Sequence, residues 1–351
     1  MRVHLVGLGL IGCSIGAGLG QAGHEVSGED LDPARSARAR EVGAIGEVGG
    51  GEGAELAFVA TPAAAVVPAV RRLLGPPYRS DLVVSDVAGV KAQIAAALSH
   101  PRFVPGHPMA GSEQEGPDGA SAELFLGASW VLAPGPKTSE GAFAVVQRAV
   151  SDLGADVVVL PPERHDELVA VVSHVPHLTA ATLMSLAASS AVDREALLRL
   201  AAGGFRDMTR IAAGSPAIWP DICAENQLAI LGGIDRLQAA LARVRAIVAE
   251  GDRAALTEML ESARAARRNL PARGSPPAKS RELRVIVPDR PGVLAEVTAV
   301  AARLGANIYD IEIAHSAEGP RGVLVLSLAP SAAAQLSGAL QQAGFQTGLA
   351  P

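Results

Sequence analysis

Up to Pro161, apolar residues come in short runs broken by Gly, Pro and charge, and these runs alternate with helical segments. Arg2 to Val6 predicts a short buried strand. GLGLIG follows directly, then an apolar stretch rich in Gly and Ala up to Gly23. His24 to Gly28 predicts a second strand ending at Glu29-Asp30, and Leu56 to Ala60 and Leu82 to Ser85 predict further buried strands. Phe103-Val104, Trp130 to Ala133 and Asp156 to Leu160 complete the set, and Ala63 to Leu74 reads as one of the helices between them. Strands and helices in alternation imply an α/β fold with a parallel, doubly wound, Rossmann-type sheet.

The pattern changes near Pro161-Pro162. From Arg164 to about Asn269 the chain reads as helix. Leu228, Leu231, Leu237, Leu241, Val244 and Val248 fall at three- and four-residue steps, forming one apolar stripe suited to a dimer core or to internal packing. Gly251-Asp252 breaks that helix, and Arg253 to Arg268 resumes it. A Pro/Gly/Ser-rich linker, PARGSPPAKS, leads to a last segment in β-α-β-β-α-β order, the pattern of a compact ferredoxin-like unit. The expected domains are therefore 1–163 for dinucleotide binding, 164–270 all-helical, 271–281 linker and 282–351 α+β.

The net charge of −6 lacks the basic surplus of a nucleic-acid binder. Cys13 and Cys223 are far apart and predict neither a disulfide framework nor a cysteine zinc site. Met1 to Gly7 already reads as a strand, with no leader pattern, and the apolar runs are too interrupted to predict a membrane span. The expectation is a cytoplasmic protein. Aromatic residues make up only 3%, so those inside motifs stand out.

GxGxxG alone is a weak signal. Here it follows a strand, opens a helix and is followed 18 residues after Gly12 by Asp30, at the end of the second strand. Gly7 would permit the tight turn, Gly9 a close approach of backbone to a pyrophosphate, and Gly12 close packing of helix on sheet. The amides opening the helix at Leu10 and Ile11 would face the phosphates. Asp30 would bond the adenosine ribose and repel a 2′-phosphate, favouring NAD over NADP. Arg35 and Arg38 lie downstream, where they would soften that preference.

Three stretches carry further chemistry. GHPMAGSE, Gly106 to Glu113, follows a strand where a doubly wound sheet opens its ligand crevice, and His107 there suits a general base. SHVPH places His174 and His177 three apart on a helix that Pro176 should kink. With no HExxH pattern and no cysteine ligand, polar contacts to a substrate fit better than a metal, and none is expected. Gly203 to Asn226 concentrates Arg206, Asp207, Arg210, Trp219, Asp221 and Glu225. Arg210 suits a carboxylate clamp, and a structural ion pair with Asp207 is the plainer reading.

Together these motifs resemble the prephenate dehydrogenases of tyrosine biosynthesis. The resemblance rests on GLGLIGCSI at Gly7 to Ile15, ATP at Ala60 to Pro62 and SDVAGVK at Ser85 to Lys91, with GHPMAGSE, SHVPH and GGFRDMTRIAAGSPAIW. It implies NAD as cofactor, with Thr61 and Pro62 beside it, and prephenate as substrate. His107 would accept the ring hydroxyl proton. Arg210 would clamp a carboxylate, Ser173, His174 and His177 would bond the side chain, and Ser112, Glu113, Asp207 and Trp219 would line or gate the pocket. It also implies a homodimer or higher homo-oligomer. The last segment resembles an ACT domain, with Asp289, Pro291 and Gly292 in its first loop and Asn307 before its second strand, and tyrosine as the implied effector.

One departure stands out. The family often has a serine where Gly89 stands, which would bond the catalytic histidine or the substrate hydroxyl. Its absence leaves the orientation of His107 to another group or to water. Arogenate dehydrogenase remains an alternative in the same class. A β-hydroxyacid dehydrogenase would need a lysine early in the helical domain, whereas Lys137 and Lys279 are the only lysines after Lys91. A non-catalytic NAD and amino-acid sensor would need neither His107 nor Arg210.

Overall fold

The computed structural model describes residues 1–111, 114–189, 203–214, 216–268, 281–288, 290–315 and 321–349. Ser112, Glu113, Asp289 and nearly all of the expected linker therefore lie outside the described residues. By its internal contacts the chain divides into two compact units. One comprises Met1–Met184 and Ile211–Arg243, the other Ser185–Arg210 and Val244–Pro351.

In the first unit, β1 (Arg2–Val6), α1 (Leu10–Gln21), β2 (Glu25–Glu29), α2 (Pro33–Glu41), β3 (Glu47–Val48), β4 (Leu56–Val59), α3 (Ala63–Leu73), β5 (Val83–Asp86), α4 (Ala92–Ala97) and β6 (Phe103–Val104) follow one another. Their six strands form one parallel sheet in the order β3-β2-β1-β4-β5-β6. The order reverses direction at β1, which places a ligand crevice at the carboxyl ends of β1 and β4. β4 and β5 are buried throughout, as strands covered on both faces must be. Leu5, Leu8, Ile15, Leu19 and Phe58 belong to one apolar core, and Val59, Val66, Val70 and Phe103 to a second. The two exposed residues of β3 are too few to leave a periodic signal in the sequence.

The remaining strands depart from expectation. β7 (Gly106–Pro108), β8 (Ser129–Leu132) and β9 (Asp156–Val159) form a separate three-stranded sheet, with β7 antiparallel to β8 and β8 parallel to β9. His107 thus lies on a short strand paired with Val131, not on a loop. The cause is steric. A Cβ on Gly106 would lie 2.9 Å from the Asp86 carbonyl oxygen, 3.0 Å from Trp130 Nε1 and 3.1 Å from Ser85 Oγ, so only glycine lets β7 approach so closely. Trp130 is fully buried, its ring centroid 6.0 Å from Phe58 and 5.1 Å from Phe125.

After α5 (Glu140–Asp152), a helical run covers Pro162–Ser189: α6 (Pro162–Val169), a π-helical turn (Ala170–His174) and α7 (Val175–Ser189). The irregularity precedes Pro176. A proline ring clashes with the carbonyl four residues earlier, here that of Val172, and the widened turn moves that carbonyl aside. The run joins what the sequence showed as interrupted apolar segments into 28 residues, long and apolar enough to cross a membrane by length and composition. Its polar residues His165, Asp166 and His174 are nevertheless buried and hydrogen-bonded within the protein.

α8 (Gly203–Thr209), α9 (Trp219–Glu225) and α10 (Gln227–Glu250) follow. The apolar stripe on α10 faces outward: Leu228 is 86% exposed and Val248 64%, with Leu231 and Leu241 also exposed, while Ile230 and Gly233 are buried. Gly251, at φ +66°, ends the helix, and Asp252 Oδ1 accepts the Ala255 N–H to open α11 (Arg253–Arg268). In the second unit β10 (Arg281–Pro288), α12 (Val293–Arg303), β11 (Ile308–His315), β12 (Arg321–Leu328), α13 (Pro330–Gln342) and β13 (Gln346–Leu349) build an antiparallel sheet ordered β11-β12-β10-β13. Leu283, Val285 and Val287 alternate inward and share a core with Val297, Val300, Leu336 and Leu340 of the two helices.

The close approach at Gly106 gives a direct test. Gly106→Ala should lower stability by about 1–3 kcal/mol through overpacking. Gly20→Ala, at an exposed helical position with nothing within 4 Å of the added Cβ, should be neutral or stabilising. Denaturant melts of the two variants check this, and equal midpoints would contradict the steric account.

Candidate active site

The site is built around the backbone of Gly106. Asp86, at the end of β5, accepts the Ala88 N–H at Oδ2 (3.0 Å) and the Gly106 N–H at Oδ1 (3.3 Å). Lys91 Nζ pairs with Asp86 Oδ2 and donates to the Gly106 carbonyl at 2.8 Å. Both side chains are fully buried. One ion pair thus holds both backbone groups of the residue preceding His107.

His107 is half-buried, and its ring continues into a chain of hydrogen bonds. Its Nδ1 lies 2.8 Å from His165 Nε2, and His165 Nδ1 lies 2.7 Å from Asp166 Oδ1. Asp166 Oδ1 also accepts the Lys91 N–H (2.8 Å), and Oδ2 the Ala92 N–H (2.9 Å). Nε2 of His107 has no partner among the described residues. A Cβ built on Gly89 would lie 3.7 Å from that nitrogen, with only the His107 ring within 4 Å of it. The glycine therefore leaves open space beside the free nitrogen, and the group that orients the ring from behind is His165. Burial pushes the His107 pKa well below the ordinary histidine value, and the nearby His165, Lys91 and His174 push the same way. The imidazole is therefore neutral at physiological pH, as a proton acceptor must be.

On the helical side His174 is buried, with Nδ1 3.2 Å from Asn226 Nδ2, which also donates to the Asp166 carbonyl at 3.0 Å. Trp219 stands edge-on to His174 at 6.1 Å and stacks on His177 at 3.7 Å with planes 14° apart. The structure thus joins His174, His177 and Trp219 in one aromatic cluster, with Ser173 half-buried on the π turn before it. Asp207, on α8, and Arg210, opening the next 3₁₀ turn, are exposed. Among the described residues they form no ion pair with each other, unlike the plainer reading of the sequence.

The glycines of the first turn differ in their surroundings. Gly7 has φ +95°, and a Cβ there would lie 2.5 Å from the Ala60 carbonyl oxygen; one on Gly12 would meet the Gly7 carbonyl oxygen at 2.0 Å. Gly9 is different: nothing lies within 4 Å of its added Cβ, and no side chain caps α1, so the amides of Leu10 and Ile11 open onto free space. Asp30 accepts the Leu8 N–H at 2.8 Å and the Asp32 N–H at 2.9 Å, which aims the carboxylate at the crevice rim. Thr61 Oγ1 is a buried hydroxyl without a partner, just before Pro62 opens α3. These features fit a dinucleotide. Arg38 is engaged by Asp118 and Glu41, and Arg35 lies 3.9 Å from Asp32, so the two cations that would soften the preference for NAD already face carboxylates.

In the second unit Gly292 has φ +86° and, after Pro291, opens α12; Asn307 is exposed just before β11. The sequence reading missed His165, Asp166, Asn226 and the buried Asp86–Lys91 pair. A signal was present for two of them. Pro162, His165, Asp166 and Val169 are the buried positions of α6, so a histidine and an aspartate occupy a helical stripe that apolar residues normally fill.

Residues 15–159 match the nucleotide-binding domain, and residues 161–262 the dimerization domain, of prephenate dehydrogenase. The prephenate dehydrogenase of Bacillus subtilis is 34% identical over 337 residues, 92% of this chain and 91% of its own. Two solved structures align over most of the chain. The Synechocystis arogenate dehydrogenase has a TM-score of 0.69 at 28% identity, covering 76% of this chain and 99% of its own. The prephenate dehydrogenase of A. aeolicus, in complex with hydroxyphenyl propionate and NAD+, has a TM-score of 0.72 at 27% identity, covering 77% and 98%.

The neutral histidines make stability depend on pH. Burial, with His165 pushing the same way and Asp166 opposing, lowers the His174 pKa from 6.5 to about 4. Below pH 6.5 the unfolded chain binds a proton that the folded chain refuses. Stability is therefore fully present above 6.5 and falls by about 1.4 kcal/mol per pH unit for this group until pH reaches the folded value. His107 acts with the same sign. The melting temperature should drop between pH 7 and 5, and His174→Gln should flatten that slope; an unchanged slope would contradict the assignment.

Proposed function

The chain belongs to the prephenate dehydrogenase family, and from that premise we propose that it converts prephenate to 4-hydroxyphenylpyruvate and carbon dioxide, using NAD+. The enzyme is an NAD-dependent dehydrogenase. Gly7, Gly9, Leu10, Ile11, Gly12, Asp30, Thr61 and Pro62 would hold the cofactor, which supplies the hydride acceptor. The observation that carries the reading is the His107 imidazole held from behind by His165, with Nε2 unpartnered among the described residues and beside open space.

His107 Nε2 takes the proton of the ring hydroxyl as that carbon is oxidised. Loss of the ring carboxylate as carbon dioxide aromatises the ring, and the proton returns to the phenol oxygen. Aromatisation makes the sequence strongly downhill, so the protein mainly positions substrate and holds one proton. Arg210, exposed and without an ion-pair partner among the described residues, would clamp a carboxylate. Ser173, His174 and His177 would meet the side chain, and Ser112, Glu113, Asp207 and Trp219 would line or gate the pocket.

We assign residues 1–163 to dinucleotide binding, 164–270 to substrate binding and dimerisation, and 282–351 to an ACT-type regulatory unit. The outward apolar residues Leu228, Leu231 and Leu241 support a homodimer through the helical region. The β-α-β-β-α-β order and the glycine-led helix after β10 support a ferredoxin-like effector domain, with Asp289, Pro291, Gly292 and Asn307 near its ligand and tyrosine as that ligand. Arogenate is the second substrate to weigh, favoured by the similarity to the Synechocystis enzyme.

Formation of reduced nicotinamide should be fast with prephenate and NAD+ and much slower with NADP+, given the Asp30 carboxylate and the engaged Arg35 and Arg38. Turnover with arogenate alone would reassign the side-chain pocket, and turnover with neither would overturn the reading. His107→Ala should lower kcat by at least ~10²-fold, the scale of general-base catalysis. Tyrosine should inhibit the full-length enzyme; unchanged activity and melting temperature in its presence would remove the effector assignment.

A further inference from the structure

We propose that His165 and Asp166 are positioning residues that fix the tautomer of His107, placing its proton on Nδ1 and its free lone pair on Nε2. The inference rests on the reading of His107 as the base. Its logic runs along the chain of hydrogen bonds from the far end. Asp166 already accepts backbone N–H groups from Lys91 and Ala92 on its two oxygens, so it is the acceptor toward His165 as well. The proton in the 2.7 Å contact therefore sits on His165 Nδ1. A neutral His165 then has a bare Nε2, which only accepts. The proton in the 2.8 Å contact consequently sits on His107 Nδ1. His107 Nε2 is left bare, facing the space beside Gly89.

Three separate segments meet to make this chain. β7 supplies His107, α6 supplies His165 and Asp166, and the turn opening α4 supplies the two amides. His165 is fully buried and Asp166 nearly so, and with His165 neutral any other proton arrangement sets two acceptors face to face out of reach of water. When His107 takes up a proton, its Nδ1–H already points along a line ending on a carboxylate. The imidazolium is thus stabilised without the ring turning. Because no side chain reaches His107 Nε2 from Gly89, the ring is oriented, among the described residues, from behind.

Ring ¹H–¹⁵N spectra of the full chain with ¹⁵N-labelled histidine, taken at neutral pH, test the tautomer. The expected result is a protonated Nδ1 and a bare Nε2 on His107; a protonated Nε2 with bare Nδ1 overturns the proposal. Kinetics test its consequence. His165→Gln keeps an amide oxygen able to accept from His107 Nδ1–H, whereas His165→Leu fills similar space with no acceptor. Leu should lower kcat by at least ~10²-fold with KM changed only a few-fold, and Gln should restore most of that loss, the two variants melting alike. Equal activity of the two variants would reduce His165 to a packing residue. The ring spectra do not depend on turnover, so they decide the tautomer separately from the assay that decides the dehydrogenase reading.

Discussion

The buried ion pair of Asp86 and Lys91 is the interaction on which the candidate active site depends. Removing both charges from water is costly, and such a pair is tolerated only when its remaining hydrogen-bonding capacity is filled. Here it is filled by backbone: the Ala88 and Gly106 N–H groups on Asp86, and the Gly106 carbonyl on Lys91. Burial pulls the Lys91 pKa down, while Asp86 and Asp166 oppose it. The ammonium also lies close enough to His107 to disfavour a second positive charge there. The same pair therefore sets where His107 stands and helps keep it neutral.

That placement links the two sides of the site. The Lys91 side chain holds β7, and its backbone amide bonds Asp166 on α6. Asn226 then bonds the Asp166 carbonyl and the His174 ring, and His174 meets Trp219 edge-on. A continuous run of polar contacts thus extends from the end of the Rossmann sheet to the aromatic cluster of the helical region, nearly all of it closed to water. Such networks lock side chains only when every member is satisfied. Among the described residues, His107 Nε2 is left without a partner at its edge.

The sequence carried much of this. Glycines at 7, 9 and 12 suggested a nucleotide turn, and the structure gives Gly7 a positive φ and leaves no room for a Cβ at Gly7 or Gly12. The β-α alternation, the long helix ending at Gly251 and the C-terminal strand-helix order were likewise legible, because periodicity and breakers act over a few residues. His107 stood out as a histidine after a strand. One reading went astray and one stayed open, for the same reason. β8 and β9 were placed in the main sheet because strand patterns carry no address, and the stripe on α10 gave no sign of which side it would face.

What the sequence determined by itself, then, was local: which segments form strands and helices, where the nucleotide turn lies, and which residue types are available for proton transfer and anion binding. What only the tertiary structure decided was partnership. His165 lies 58 residues from His107, and Asp166 lies 75 from Lys91. No spacing rule connects residues so far apart, because their meeting depends on how separate elements pack and on the absence of a side chain at Gly106. The choice of which His107 nitrogen is left free belongs to that packing, since it is set by an acceptor on another helix and by two amides that hold the carboxylate behind it.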